Sequence, residues 1–145
     1  MKCLLQRVVQ ASVAVDQRVV GEIQRGLLVF VGVEPGDTDE IVLRMAKRLL
    51  SYRLFSDEEG KMNLNVQQAG GAILLVSQFT LAADTNSGNR PSFSTAAPPE
   101  QASRLCADLA QALTVENIRV ETGQFGADMQ VSLVNDGPVT FLLSV

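Results

Sequence analysis

Two short polar stretches hold the residue types with which this chain could do chemistry. The first, Ser77-Gln78-Phe79-Thr80-Leu81, closes the continuous apolar run Ala72 to Val76 and leads into a small, polar segment from Ala82 to Ser92. Hydroxyl and amide side chains at the end of a buried strand, just ahead of a loop, sit where open α/β sheets place ligands. Taken alone, Ser77 and Thr80 are also the residues that satisfy backbone groups at a strand end. The second stretch is Asn135-Asp136-Gly137-Pro138-Val139-Thr140. Proline fixes its own φ and has no N–H, and glycine tolerates backbone shapes closed to other residues, so the pair builds a rigid corner with backbone groups at its tip. Its local reading is an ordinary hairpin turn.

What the chain lacks narrows the chemistry. It contains no histidine, which removes Ser-His-Asp and Cys-His catalysis and every histidine-bearing metal site. Cys3 and Cys106 form neither a disulfide framework nor a zinc spacing, and both read as small buried hydrophobes. There is no glycine-rich phosphate loop with a lysine, and Asp57-Glu58-Glu59 reads as a solvated turn, not a metal site. A net charge of −4 and a pI near 4.8 argue against a broad nucleic-acid footprint, DNA included, while leaving room for contact with the end of an RNA. Arg44, Lys47 and Arg48, and the isolated Arg90, read as solvated charges.

The elements that must position these stretches are those of one domain. The 145 residues are 46% hydrophobic and 19% charged, with a mean hydropathy of +0.15, which describes a chain able to bury a real core. No apolar run is long enough for a membrane span, and Gln6 and Arg7 arrive too early for a signal-peptide core, so the expected location is the cytosol. Strands are expected over Leu4 to Val9, Ser12 to Val15, Arg18 to Ile23 and Leu27 to Val33. Asp37 with Glu40 predicts an N-cap for a helix from about Thr38 to Ser51. Tyr52 to Phe55 reads as a short strand or extended segment, and Lys61 to Val66 as either a strand or an ordered loop. Ala72 to Val76 is the central buried strand. Pro98-Pro99 opens a second helix whose apolar stripe runs from Ala102 to Leu113. Ile118 and Val120 then form a short strand, and period-2 alternation marks a final pair, Met129 to Leu133 and Val139 to Val145, on either side of the Gly-Pro corner.

The two polar stretches together resemble the signature motifs of the D-aminoacyl-tRNA deacylases. The likeness extends through Gln6-Arg7-Val8, Ala11-Ser12-Val13, Gly26-Leu27-Leu28-Val29, Gly60-Lys61-Met62-Asn63-Leu64, Arg90-Pro91-Ser92-Phe93-Ser94 and Gly123-Gln124-Phe125-Gly126-Ala127-Asp128-Met129, which covers essentially the whole chain. It implies a single α/β domain of mixed, largely antiparallel sheets in a three-layer arrangement, with two core helices on one side, acting as a homodimer. The implied reaction is hydrolysis of the ester between a D-amino acid, or mischarged glycine, and the 3′-terminal adenosine of tRNA, without metal or cofactor. The implied partners are the 3′ end of aminoacyl-tRNA and a second copy of the chain, with no membrane and no DNA.

By the same resemblance Gly137 and Pro138 form a cis corner that reaches into the partner's site and rejects L-amino acids. Ser77, Gln78 and Phe79 line the pocket. Thr80 acts beside the ester, as nucleophile or, preferably, as a positioning group, since no general base is identifiable. Backbone N–H groups around Phe79 and Thr80 are candidates for oxyanion stabilisation. Arg7 braces the Gly-Pro loop, Phe125 and Met129 form pocket wall, and Ala96 lies near the adenosine. Ser87 departs from the family, whose members often carry a basic residue there, and this bears on the strength of tRNA backbone contact. The alternatives are a hydrolase of small D-amino acid esters that needs no RNA, and a non-catalytic dimeric binding module.

Overall fold

The first strand does most of the organising. In the computed structural model, which describes residues 1–145, β1 runs from Lys2 to Val15 without a break. It pairs antiparallel with β2 (Arg18–Ile23), β3 (Gly26–Gly32) and β8 (Gln130–Ser144). The two strands expected over 4–9 and 12–15 are therefore one. Val9-Gln10-Ala11 contains no breaker, and the register irregularities near Val8 and at Val13/Ala14 let a single strand bend rather than end. Its first half lies between β3 and β8, its second between β2 and β8.

On the other side of β3 the pairing turns parallel. β6 (Ala72–Ser77) lies between β3 and β7 (Val120–Thr122), so the main sheet is mixed. Every residue of β6 except Ser77 is buried, as its continuous apolar run requires. A separate two-stranded ribbon pairs β4 (Phe55–Ser56) with β5 (Met62–Leu64), which places a short strand inside the open 61–66 segment and leaves only Phe55 of the 52–55 segment in a strand.

Two helices, α1 (Asp39–Ser51) and α2 (Pro99–Thr114), cover one face of the sheet. Their apolar stripes, Val42, Met45, Ala46 and Leu49 on α1 and Ala102, Leu105, Leu109 and Leu113 on α2, pack with β1, β3 and β6 into a core of 24 buried residues. The opposite face gathers eight more around Val8, Val13, Leu28 and Leu74, against which Met129 and, from β8, Val131 and Leu133 pack. The helix layer, the sheet and this second apolar layer match the three-layer expectation.

The start of α1 corrects one reading. Thr38, not Asp37, is the N-cap, and its Oγ1 accepts the Ile41 N–H at 3.3 Å, a bond worth about 1 kcal/mol. Asp37 lies one residue too early and is buried, where its carboxylate accepts the Glu34 N–H and the α-amino group of Met1. That amine, also bonded to Glu34, holds the Glu34 carboxyl below its ordinary range.

The last strand corrects another. Met129–Leu133 and Val139–Val145 do not form a hairpin, because the chain does not reverse between them: both halves run antiparallel to β1. Asn135 pairs with Val8 and Thr140 with Gln6, so residues 136–139 bulge out of a continuous strand opposite Arg7. A Gly-Pro pair marks an interruption in pairing, and sequence alone does not tell an excursion from a reversal.

Candidate functional site

The C-terminal end of β6 supplies the floor of a cavity beside the first of the two motifs, Ser77–Leu81. Ser77 closes the strand, the Gln78 N–H donates to Val31 O at 2.8 Å, and the chain turns into a 3-10 helix, Phe79–Ala82. That helix lies against β3 at Gly32. A Cβ on Gly32 would stand 2.8 Å from the Leu81 Cβ, closer than real contacts allow, so the bare glycine is what lets the turn seat there.

The cavity encloses about 740 Å³. Ser77, Gln78 and Phe79 form one wall, Phe125 and Met129 a second, and Ala96, Ala97, Pro98, Pro99 and Ala102 a third at the start of α2. This third wall is pinned by the Ala97 N–H to Val33 O at 2.9 Å and by Gln101 Nε2 to Pro35 O at 3.0 Å. Phe93 completes the rim. Its ring lies 5.0 Å from that of Phe79, tilted 55°, and Phe79, Phe93 and Phe125 are all exposed. Three large apolar rings gathered in the open at one cavity mouth form the kind of apolar patch that marks a binding site.

No residue lining the cavity is ionisable. What polar capacity it has comes from the Ser77 and Ser94 hydroxyls, the Gln78 amide and the backbone. The N–H groups of Phe79 and Thr80, in the first turn of the 3-10 helix, have no acceptor within that helix. Thr80 itself is exposed on the helix, outside the cavity lining. A smaller void of about 160 Å³ shares Ser77 and Phe125 and reaches Cys106, whose thiol is pushed up to about 11 by burial.

Six of the ten sequence-predicted residues thus line one cavity: Ser77, Gln78, Phe79, Ala96, Phe125 and Met129. Arg7, Gly137 and Pro138 form a second cluster. Arg7 Nε donates to Asp136 O at 3.2 Å and lies 3.4 Å from the Asp136 carboxylate, while Nη1 donates to Leu54 O at 2.8 Å. The Asn135 side-chain amide donates to Arg7 O at 2.9 Å and to Val139 O at 3.0 Å, closing the base of the bulge. Gly137 has φ +130°, and a Cβ there would lie 2.7 Å from Val139 Cγ2 and 3.1 Å from Arg7 Nη2. The Gly137-Pro138 peptide is cis, and both residues are exposed. Neither they nor Arg7 touches the cavity of their own chain.

Sequence reasoning missed Phe93 and Asn135 as site residues. Phe93 stands in a polar loop, where a large apolar side chain without a periodic partner is itself a signal. Asn135 carried none, because its role depends on a bulge that local sequence does not reveal.

The family model for D-Tyr-tRNA(Tyr) deacylase matches residues 4–144. This chain belongs to that family, and with it to the hydrolases. The proteins named D-aminoacyl-tRNA deacylase from Xanthomonas oryzae pv. oryzae (strain MAFF 311018) and Saccharophagus degradans (strain 2-40 / ATCC 43961 / DSM 17024) are 62% and 57% identical over 145 residues; the first comparison covers 99% of each chain and the second 100%. Among solved structures, a c-Myc DNA Unwinding Element Binding Protein superposes with a TM-score of 0.94 at 39% identity, covering 100% of this chain and 99% of that one. A probable eukaryotic D-amino acid tRNA deacylase superposes at 0.86 and 18% identity, covering 99% and 98%, which speaks for the fold. The single α/β domain expected from the sequence is the deacylase fold.

Proposed function

We propose that the chain hydrolyses the ester linking a D-amino acid or glycine to the 3′-terminal adenosine of tRNA. The observation that carries this reading is an aromatic-rimmed cavity with no ionisable side chain, at the end of β6, in a chain of this family. Such a cavity suits an activated ester that needs positioning and oxyanion stabilisation more than it needs a general base. Water attacks the ester carbonyl, negative charge develops on its oxygen within reach of the Phe79 and Thr80 N–H groups, and the bond to the ribose 3′-oxygen breaks. That oxygen keeps the proton lost by the water, with the neighbouring ribose 2′-hydroxyl assisting the transfer. Thr80 positions the substrate and is not acylated, since no ionisable side chain lines the cavity to serve it as a base.

The reading extends to a homodimer in which the Gly137-Pro138 corner enters the partner's cavity. Support comes from the separation of the two clusters within one chain. Further support comes from β8, whose outer edge pairs with nothing while Val134, Phe141 and Leu142 stand exposed along it. A 15-residue edge strand left bare in this way invites a second chain to cover it. A rigid backbone corner placed over the substrate Cα rejects an L centre whatever its side chain, and clears glycine or a D centre.

The test is hydrolysis of D-Tyr-tRNA, L-Tyr-tRNA and D-tyrosine methyl ester by the purified protein. Rapid loss of D-Tyr-tRNA alone is expected. Equal cleavage of the methyl ester would favour a small-ester hydrolase, and no cleavage of any substrate would favour a binding module. A DNA duplex belongs among the controls because the neighbour at 39% identity is named for binding a DNA element. At net charge −4, no effect of it on the rate is expected.

A further inference from the structure

The geometry points to a tRNA-backbone site on the exposed face of α1, and places that site beside the Gly137-Pro138 loop, away from the cavity of the same chain. Arg44, Lys47 and Arg48 fall at i, i+3 and i+4, on the side of α1 opposite its buried stripe of Val42, Met45 and Leu49, and Arg53 follows the helix. All four are exposed and none is within ion-pair distance of a carboxylate, whereas Arg104, Arg119 and Lys61 each have an acidic partner. Glu40 shares this face at its N-terminal end, and Glu116 lies across a groove from Lys47. Toward the C-terminal end of α1 the positive charge is unopposed. In a chain with a net charge of −4, four free cations within ten residues mark where a polyanion can approach.

The location follows from the contacts. The Arg48 guanidinium stacks over the Tyr52 ring at 5.6 Å, and Tyr52 packs edge-on against Phe141 of β8 at 5.8 Å. The carbonyl of Leu54, next to Arg53, accepts from Arg7, which also holds the loop. In contrast, α2 separates this end of α1 from the cavity. Ala102 lines the cavity, while Val115 faces Lys47 and Leu50, and thirteen residues of helix span about 20 Å. The basic face therefore travels with the loop.

The inference rests on the proposed reading that the loop serves the partner's cavity: an aminoacyl end bound there has its acceptor-stem phosphates beside the loop, where the basic face lies. The ligand is the phosphate backbone of the tRNA, contacted without regard to sequence. This also supplies, from another surface, the positive charge that Ser87 does not.

The test compares D-Tyr-tRNA with the 3′-O-D-tyrosyl ester of adenosine, which has the reacting end and no acceptor stem. The variant combines Arg44→Gln, Lys47→Gln and Arg53→Gln and spares Arg48, which packs on Tyr52. Expected is a loss of roughly 30-fold or more in kcat/KM on the tRNA at physiological salt, carried by KM, with a salt dependence flatter by about three contacts. Turnover of the adenosine ester is expected to be unchanged. An unaltered rate on tRNA, or an equal fall on both substrates, would overturn the site. A wild-type protein inactive on D-Tyr-tRNA would instead remove the functional reading beneath it. Mixed dimers of one triple-Gln chain with one Ala102→Trp chain, whose own cavity is blocked, test the placement. Their open cavity faces an intact basic surface across the dimer, so a wild-type KM for tRNA is expected. A KM raised as in the triple-Gln homodimer would mean that the face serves its own cavity, contrary to the inference.

Discussion

The cavity at the end of β6 and the Gly137-Pro138 bulge are built on opposite principles. The cavity draws on three segments far apart in sequence, 76–79, 93–102 and 125–131, and is lined by apolar and neutral polar groups of one chain. The bulge is four residues long and held by polar ties from Arg7 and Asn135, yet it has nothing to act on in its own chain. A cavity of this kind reads the substrate by volume and stacking. In the proposed function a backbone corner at fixed φ reads configuration, because its position does not depend on a rotamer. On the proposed reading, dividing the two tasks between distant parts of the chain makes each site whole only when two copies meet.

The sharpest way to break this division is to damage each half separately. Ala102→Trp, which pushes an indole into the cavity from α2, is expected to lower turnover of D-Tyr-tRNA by more than about 100-fold, at a stability cost of roughly 1–3 kcal/mol for the extra bulk. Gly137→Val places a branched side chain where even a methyl meets Val139 and Arg7, at a φ that L residues rarely adopt. It is expected to reduce the D over L preference by about 100-fold or to abolish turnover, while the thermal midpoint of a protein that has only lost its corner moves far less than in a core truncation. Unchanged discrimination in Gly137→Val would remove the corner from the account.

Arg7→Ala should act on the loop from beneath. Leu54 O, Asp136 O and the Asp136 carboxylate lose their shared donor, so about 1–3 kcal/mol of stability and roughly tenfold of discrimination are expected to go, as read by denaturation and by paired D and L rates. A smaller effect is expected of Thr80→Ala, less than about tenfold in kcat, because a positioning hydroxyl does less than a nucleophile. With no ionisable group in the cavity, the pH profile of both proteins should show no inflection from a cavity side chain between about pH 5.5 and 8.5, apart from that of the substrate's own amino group. Smallest of all is Cys106. Its thiol is pushed up to about 11 by burial, so it stays protonated at neutral pH. Alkylation should be slow at pH 7.5 and accelerate toward pH 11, and Cys106→Ala should leave kcat/KM within about twofold.

Much of this was legible in the sequence, and for physical reasons. The helices announced themselves because a 3.6-residue stripe must face a core, and β6 did so because a continuous apolar run has nowhere else to go. The cavity floor followed, since Ser77 to Phe79 had to emerge where that strand ends. The course of the chain around Gly137 was not legible. Whether a breaker reverses a strand or merely bulges it depends on pairing with β1, more than 120 residues away in sequence. Asn135 and Phe93 were hidden for related reasons, one acting through long-range carbonyls and the other through a ring contact across a loop. Asp37 was misread because an acidic residue before a helix resembles a cap, when the carboxylate serves Glu34 and Met1 instead.

The measurement closest to the central claim is the D over L preference of a mixed dimer with one Gly137→Val chain and one Ala102→Trp chain. If the corner works across the dimer, the open cavity of the first chain receives the intact corner of the second. D-Tyr-tRNA should then be hydrolysed at about half the wild-type rate per dimer while L-Tyr-tRNA is spared. If the corner serves its own chain, the one open cavity in the mixed dimer lacks it, and the intact corner sits over the blocked cavity. Selective turnover would then be absent, as in the two parent homodimers, and the account would be wrong.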